Sequence, residues 1–184
     1  MTSPMRRISH PVADHSRYTT REWIVTNGLG GYASGTLSGV VTRRYHGLLV
    51  AALPAPTGRM VMVSHVDAQL RLPSGRLLEL EPQPPGMPEA WRRGEAVEGL
   101  PLIEFRLEAG LPVWRFEGDG FVVEKQLVMP HRQNTVHITY RLLQAPVATR
   151  LECGRSCTCV TTRVPFGRRC HIHTCSLPWR ADSR

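Results

Sequence analysis

The sequence predicts an all-β protein with the architecture of an antiparallel β-sandwich. Glycine (16) and proline (15) are frequent among the 184 residues, so the chain turns often, as many short strands require. Several segments alternate apolar and polar residues with a period of two, the period of a strand that has one face in water. No segment carries a convincing apolar stripe of helical period. At least seven strands joined by short turns therefore favour two packed antiparallel sheets.

The first segment, residues 1–18, is predicted to be flexible. It mixes arginines, histidines and an aspartate without an apolar run, and it therefore lacks the hydrophobic core of a secretory signal. No run of about eighteen apolar residues occurs anywhere, so we expect no membrane span. These features predict a cytoplasmic protein that does not associate with membranes.

The sandwich itself is predicted over residues 19–150, and turn residues mark its strands. Pro73-Ser74-Gly75 is a turn signal, because proline presets one turn position and glycine tolerates positive φ at another. Gly118-Asp119-Gly120 marks a tight hairpin for a similar reason. Four prolines and a glycine at 82–88 predict a loop. The predicted strands are 45–53, 59–66, 67–72, 76–80, 103–108, 113–117, 121–129 and 135–143.

The last segment, residues 151–184, differs from the body and is predicted to be irregular. All five cysteines and half of the net charge of +8 lie in it, and its apolar residues follow neither the strand period nor the helix period. Its C-x3-C-x-C and C-H-I-H-T-C patterns suggest a zinc site, but neither a C-x2-C pair nor an H-x3-5-H pair is present. A frameshifted end of a GC-rich gene would have the same Arg- and Cys-rich composition. We therefore expect little packed structure beyond about Leu151 and no bound metal.

The most distinctive segment contains the run Asn27-Gly28-Leu29-Gly30-Gly31-Tyr32-Ala33. Its G-x-G-x-x-A pattern matches a dinucleotide-binding fingerprint. The residues that follow are glycine-broken and β-branched, however, so no helix is expected to begin there and hold a pyrophosphate. No Asp or Glu lies between Glu22 and Asp67, and no G-K-[ST] follows, so a ribose-binding acid and a Walker loop are both missing. We expect no nucleotide or other cofactor, and a tight bend at the sandwich rim is the structural alternative.

A second motif, Thr42-Arg43-Arg44-Tyr45-His46-Gly47-Leu48-Leu49-Val50, places two guanidinium groups, a phenol and an imidazole at the start of an apolar strand. Strand alternation would put Arg43 and Tyr45 on one face and Arg44 and His46 on the other. One of these pairs could then be buried against an interface while the other faces solvent. A buried arginine would need a carboxylate or several carbonyl groups as partners.

The two motifs together, T-N-G-L-G-G-Y-A-S-G followed by T-R-R-Y-H-G-L-L-V-A, resemble the N-terminal domain of bacterial and archaeal glycogen-debranching enzymes of the amylo-α-1,6-glucosidase type. The similarity extends more weakly to about Arg150. It implies a β-supersandwich of the mutarotase-like kind, followed in the family by an (α/α)6 barrel that holds the catalytic acids. It also implies α-glucan and that barrel domain as partners. The motif residues that it assigns to substrate binding or to an interdomain contact are Asn27, Gly28, Gly30, Gly31, Tyr32, Arg43, Arg44, Tyr45 and His46.

No catalytic residue is predicted in this chain. Hydrolysis of a glycosidic bond requires two carboxyl groups at a fixed separation, and the surroundings of the acid must raise its pKa. The glutamates of the body occupy strand positions predicted to face solvent or positions near turns, so we expect a chain that is inactive by itself. These residues are Glu79, Glu81, Glu104, Glu108, Glu117 and Glu124.

The lone histidines and the aromatic residues are assigned no chemistry. The histidines lack a neighbouring Ser, Cys or carboxylate at triad or metal spacing. The aromatic rings could stack on sugars, but packing in the core or between domains is favoured. The residues in question are His65, His131, His137, Trp23, Tyr32, Trp91 and Trp114.

Three functional hypotheses follow. The first is a carbohydrate-associated domain that positions α-glucan or the catalytic barrel. The second is a purely structural scaffold whose two motifs only form an interface to a partner domain. The third, ranked below both, is a basic nucleic-acid-binding or zinc-binding protein whose function lies in the tail.

Overall fold

The computed structural model describes residues 6–9, 19–80, 99–154 and 169–174, which form strands and connecting turns apart from Thr19 and Thr20, whose backbone is helical. The strands are β1 (Arg6–Ser9), β2 (Glu22–Thr26), β3 (Tyr32–Thr36), β4 (Gly47–Ala52), β5 (Arg59–Val63), β6 (Asp67–Arg71), β7 (Leu77–Leu80), β8 (Gly99–Leu100), β9 (Leu102–Glu108), β10 (Leu111–Gly118), β11 (Phe121–Val128), β12 (Val136–Gln144), β13 (Arg150–Gly154) and β14 (Arg169–Thr174).

These strands form three sheets. One has the order β1-β9-β10-β11-β12-β14, and the other two have the orders β13-β6-β7-β8 and β2-β3-β4-β5. The pairing of β7 with β8 is parallel, and the other pairings among the described strands are antiparallel. The described chain is therefore all-β with antiparallel sheets and no closed barrel, which confirms the predicted fold class.

The meander from β9 to β12 forms the centre of the six-stranded sheet. Two of its hairpin turns have consecutive residues with positive φ, Ala109 (50°) and Gly110 (81°) in one and Asp119 (51°) and Gly120 (77°) in the other. Type I′ turns require this backbone conformation, so the predicted tight turn at residues 118–120 is confirmed. Alternation then buries one face of the meander. The large buried side chains on that face are Phe105, Trp114, Phe116, Val123, Leu127, Ile138 and Tyr140.

In the first half of the chain, the structure agrees in part with the strands predicted from the sequence. The predicted hairpin joins β6 to β7, with Gly75 at φ 87° and with the Leu72 amide donating to the Arg76 carbonyl at 2.9 Å. The strand expected at 45–53 begins later, at Gly47. Strands β2 and β3, on either side of the glycine-rich bend, were not predicted. Each has five residues, too few for the alternation of apolar residues to stand out.

The segment predicted to be flexible and the segment predicted to be irregular each contain described strands. Within the segment 1–18, β1 pairs with β9. Beyond Leu151, β13 pairs with β6, and β14 pairs with β12. These three strands were not predicted because main-chain pairing along an open sheet edge does not require apolar periodicity, which was the signal used. The remaining residues of both segments, the loop predicted at 82–88, Glu81 and Trp91 lie outside the described residues.

The core joins the six-stranded sheet to the sheet β2-β3-β4-β5 through two tryptophans. Trp23 and Trp114 meet edge to face with ring centroids 5.1 Å apart, and Phe105 meets Trp114 at 5.4 Å. The indole of Trp23 donates to the Thr36 carbonyl, and that of Trp114 donates to the Leu37 carbonyl, both at 3.1 Å. Aromatic pairs of this kind contribute about 0.5–1.5 kcal/mol beyond the burial of their area. Both indoles are therefore core residues and are not available to stack on a sugar.

Several glutamates were predicted to face solvent, but the structure places them in buried or partly buried positions. Glu104 is buried and lies 3.7 Å from a guanidinium nitrogen of Arg106. The same guanidinium contacts Glu108 at 2.6 Å and Glu124 at 2.7 Å. Contacts with the oppositely charged Arg106 thus allow these carboxylates to be buried on the outer face of the six-stranded sheet. Strand alternation alone does not predict this burial. Glu79 is also half-buried, and this burial raises its pKa.

Candidate functional site

The glycine-rich bend connects β2 to β3, and the side chain of Asn27 shapes it. The Asn27 side-chain oxygen accepts from the amides of Leu29 at 2.9 Å and Gly31 at 3.0 Å. The Asn27 amide in turn donates to the Gly31 carbonyl at 3.1 Å. Gly28 and Gly30 have φ of +78° and +91°, a conformation that glycine adopts without steric cost. The sequence T-N-G-L-G-G therefore forms this bend through local hydrogen bonds.

The bend is tied to the turn between β11 and β12 and to the end of β4. The Asn27 side-chain amide donates to the Gln133 carbonyl at 2.8 Å and to the Asn134 side-chain oxygen at 3.1 Å. Asn134 bridges onward to Ala52, donating to its carbonyl at 2.8 Å and accepting from its amide at 3.2 Å. The Asn27 carbonyl accepts from the Arg132 amide at 2.6 Å. We call the linked pair of side chains the Asn27–Asn134 bracket.

Asn27 is completely buried, and the bracket uses its whole hydrogen-bonding capacity. Its side chain has two donor hydrogens and an oxygen with two lone pairs, and two contacts are made on each side. No polar group of this side chain is left for a ligand. Asn27, predicted to touch substrate or a partner domain, is placed by the structure as an internal brace.

The glycines of the bend allow close approach of the bracket. A Cβ atom on Gly31 would lie 2.7 Å from the side-chain nitrogen of Asn27 and 3.1 Å from the Val50 carbonyl. A Cβ atom on Gly28 would lie 2.6 Å from the ring of His131. The distances of 2.6 and 2.7 Å are far shorter than a normal van der Waals contact, and 3.1 Å is tight. The tight-bend alternative thus accounts for these glycines without a ligand.

The second motif forms a turn and not the start of a strand. The His46 amide donates to the Arg43 carbonyl at 3.1 Å, which breaks the alternation expected for Arg43 to His46. Arg43, Arg44 and Tyr45 are all exposed, whereas His46 is 4% exposed. The predicted division into two faces was therefore wrong, because the chain does not become extended until Gly47.

His46 holds this turn against β2. Its Nδ1 accepts from the Thr42 amide at 3.3 Å, so in the neutral ring the proton is on Nε2. That Nε2 faces the Glu22 carboxylate at 3.6 Å. The same carboxylate oxygen accepts from Nε of Arg43 at 2.5 Å. Glu22, which the sequence did not single out, thus anchors two of the predicted site residues.

The remaining predicted residues lie on the outside of this sheet. The Tyr32 hydroxyl donates to the Tyr45 carbonyl at 3.3 Å, which brings the Tyr32 side chain to the main chain of Tyr45. The Arg44 guanidinium lies over the Tyr45 ring, 5.6 Å from its centroid, and that of Arg59 lies over the Tyr32 ring at 5.9 Å. We call Arg59, Tyr32, Tyr45 and Arg44 the arginine–tyrosine row. Arg59 was missed because nothing in the sequence distinguishes it from other arginines beside strands.

A cleft lies beneath the second motif, between the two sheets. Trp23, Trp114, His46, His65 and Lys125 are among the residues that line it, and it encloses about 20 Å³ of solvent-accessible space. One water molecule needs about 10–15 Å³ on this measure, so the cleft has room for one or two waters and not for a sugar ring. Lys125 is buried, with its ammonium group 5.1 Å from the centroid of the Trp114 ring. Such a cation–π contact offsets part of the cost of burying the charge.

The lone histidines have ordinary surroundings. His65 lies 3.0 Å from the Ser64 hydroxyl and 3.8 Å from the Asp67 carboxylate, and His131 is exposed beside Gly28. Among residues 19–80 and 99–153, no three His, Cys, Asp or Glu side chains are grouped as metal ligands. Cys157, Cys159 and Cys175, on which the zinc hypothesis depends, lie outside the described residues.

The part of the chain that the structure describes contains no helix long and apolar enough to cross a membrane. A family model described as "Glycogen debranching enzyme N terminal" matches residues 21–160. The match includes the glycine-rich bend, the second motif and Asn134. No curated protein and no solved structure matches the chain significantly.

Proposed function

Because the chain belongs to the family of glycogen debranching enzyme N-terminal domains, we propose that it is the non-catalytic N-terminal domain of such an enzyme. In this role it takes part in the cytoplasmic breakdown of glycogen or related α-glucans. It assists the binding of α-glucan or positions a C-terminal glucosidase domain that lies outside these 184 residues.

The observation that carries this proposal is the division of the motif residues into two groups. Asn27 and the glycines form the bend and the bracket and have internal contacts, while Tyr45 and three nearby arginines remain exposed. The bracket holds the rim in one geometry, and the exposed groups carry rings and guanidinium forks that can contact a sugar or a protein. A rigid support beneath exposed recognition groups is the arrangement expected of a docking or binding surface.

A non-catalytic role is supported by the surroundings of the acids. A glycosidase needs two carboxyl groups that flank an open substrate site. Glu104, Glu108 and Glu124 instead surround Arg106 on the outer face of a sheet. The cleft between the sheets has no room for a glucose ring.

The test of this role is an assay for release of α-1,6 branches from a branched glucan. We expect the purified chain to release none and to raise the activity of a family catalytic domain supplied separately. Hydrolysis by the chain alone, at a rate that survives repeated purification, would contradict the non-catalytic role.

The second candidate is a purely structural scaffold, and complete burial of Asn27 favours it. The two candidates separate in a titration with maltoheptaose followed by amide chemical shifts. Shifts confined to Tyr32 and residues 43–46 support glucan binding, and loss of those shifts in Tyr45→Ala would assign them to the ring. No shift at saturating sugar would leave the scaffold as the role of this surface.

A further inference from the structure

We propose that the arginine–tyrosine row is a docking site for carboxylate groups carried by the catalytic domain. This inference rests on the proposed function and identifies the chemistry of the partner. It concerns Arg44 and Arg59 as the binding groups, with Tyr32 and Tyr45 as the rings that orient them.

The charge around the row is the first argument. No Asp or Glu lies between Glu22 and Asp67 in the sequence, and this stretch supplies the whole of the sheet β2-β3-β4-β5 apart from the start of β2. Glu22 is already shared by Arg43 and His46. Within the described residues, no carboxylate contacts Arg44 or Arg59. The row therefore presents two guanidinium charges without counter-ions.

Among the arginines whose side chains the structure describes, Arg44, Arg59 and Arg132 lack a carboxylate contact, and two of these three belong to the row. Six arginines on or beside the other two sheets contact carboxylates at distances from 2.6 to 3.9 Å. These arginines are Arg71, Arg76, Arg106, Arg115, Arg141 and Arg150. Unpaired arginines concentrated on one sheet are charge-complementary to an acidic partner.

The geometry of the stacks selects a planar anion. A guanidinium held over an aromatic ring keeps its N–H groups directed outward from its edges in a fixed plane, which matches a carboxylate bidentately. Arg59 is fixed further because its Nε donates to the Gly30 carbonyl at 2.7 Å.

The surroundings of the row favour a protein segment over a small free anion. Ile24 is 63% exposed and Leu29 is 44% exposed. Ile24 pairs in register with Ser34, whose hydroxyl lies 3.4 Å from the Tyr45 carbonyl. Exposed aliphatic side chains beside unpaired arginines match a partner that supplies apolar contacts as well as acids. A following domain of the same enzyme meets that requirement.

The test uses a hexaglutamate peptide as the probe and the full chain as the target. We expect the Nε–Hε signals of Arg44 and Arg59 to shift in a ¹⁵N-correlated spectrum, and the affinity to fall as salt is added because exposed charges are screened. Arg44→Ala should weaken binding about tenfold, the loss expected for one charge-assisted contact. Arg44→Lys should recover only part of it, because the ammonium group lacks the planar fork.

Arg115→Ala is the matched control, since it removes one partly exposed arginine that is paired with Glu117 on the six-stranded sheet. Equal loss of peptide affinity in Arg115→Ala and Arg44→Ala would overturn the proposal, because binding would then follow net charge alone. Absence of hexaglutamate binding at low salt would overturn it as well.

Two further outcomes separate this proposal from the proposed function. If the NMR signals of the row change with maltoheptaose but not with hexaglutamate, the row is a glucan site. That result overturns the docking proposal and leaves the domain's role intact. If wild type and Arg44→Ala raise the activity of the catalytic domain equally, the docking proposal fails while the positioning role stands. If neither raises it, the positioning role itself fails.

Discussion

At the scale of single residues, Asn27 and Asn134 connect the glycine bend to the rest of the fold through buried and part-buried hydrogen bonds. Their side chains bind each other and also bind main-chain groups of the glycine bend, of Gln133 and of Ala52. Buried main-chain groups that lose such partners cost about 1–3 kcal/mol each. Stability should therefore depend strongly on both asparagines.

We predict that Asn27→Ala lowers the free energy of unfolding by about 2–4 kcal/mol, because it leaves the amides of Leu29 and Gly31 without their acceptor. Asn134→Ala should lower it by a similar amount. Urea unfolding of both single variants and the double variant checks this, and the double variant should cost less than the sum because the two residues share a contact. Strict additivity would show that the bracket does not act as a unit.

Glu79 gives a pH-dependent prediction at the same scale. Burial raises its pKa in the folded state, so the folded protein favours the protonated acid and loses stability as the group ionises with rising pH. Glu79→Gln should therefore raise the melting temperature at pH 7. The gain should vanish below the ordinary pKa of glutamate, where the acid is protonated in both states. A gain that persists unchanged at acid pH would indicate a cause other than charge.

At the residue scale, the sequence singled out two motifs but not the different surroundings of their residues. Asn27 and Tyr45 were both assigned to binding, yet one is buried and the other is half exposed. Their partners are Asn134 and the Arg44 guanidinium, and the first of these is 107 positions away. A single sequence carries no signal for a contact at that separation, because its patterns report only local periodicity.

At the scale of elements, turn chemistry proved the most informative signal. The hairpins closed by residues 118–120 and by Pro73-Ser74-Gly75 form where the turn residues predict. Strands β1, β13 and β14 were not predicted because each is short and completes a sheet through main-chain pairing. Strand alternation also failed at Arg43 to His46, where a turn precedes β4.

The β9–β10 hairpin offers a prediction for an element. Ala109 adopts φ of 50°, and the left-handed region costs an alanine about 1 kcal/mol. Ala109→Gly should therefore stabilise the protein by up to about 1 kcal/mol, measured by urea unfolding. Ala148→Gly, at an exposed position without positive φ, is the control and should not stabilise. Destabilisation by Ala109→Gly would mean that the flexibility glycine adds to the unfolded chain outweighs the relief of strain.

At the scale of the whole molecule, an aromatic contact in the core joins two of the sheets. Trp114 of the six-stranded sheet packs on Trp23 of β2 and binds the Leu37 carbonyl beyond β3. Sequence reasoning favoured core or interdomain packing for these tryptophans, and both are buried. Which surfaces they join could not be predicted, because the pairing of distant sheets depends on the complete fold.

We predict that Trp114→Ala lowers the free energy of unfolding by about 3–5 kcal/mol, the range for deleting a large buried aromatic side chain. Trp114→Phe should cost less, since it keeps most of the apolar volume while losing the indole hydrogen bond. Thermal and urea unfolding followed by circular dichroism check both variants. A loss below about 1 kcal/mol for the alanine variant would show that the two sheets are held together elsewhere.

The bracket between Asn27 and Asn134 also bears on how the polypeptide is made. A ribosome releases the glycine bend long before it adds Asn134, which lies 107 positions later. During that interval the newly synthesised N-terminal half has Asn27 without its distant partner, and its bend stays open to water or to a chaperone. The hydrogen bonds of the bracket can therefore form only after Asn134, just before β12, has been synthesised.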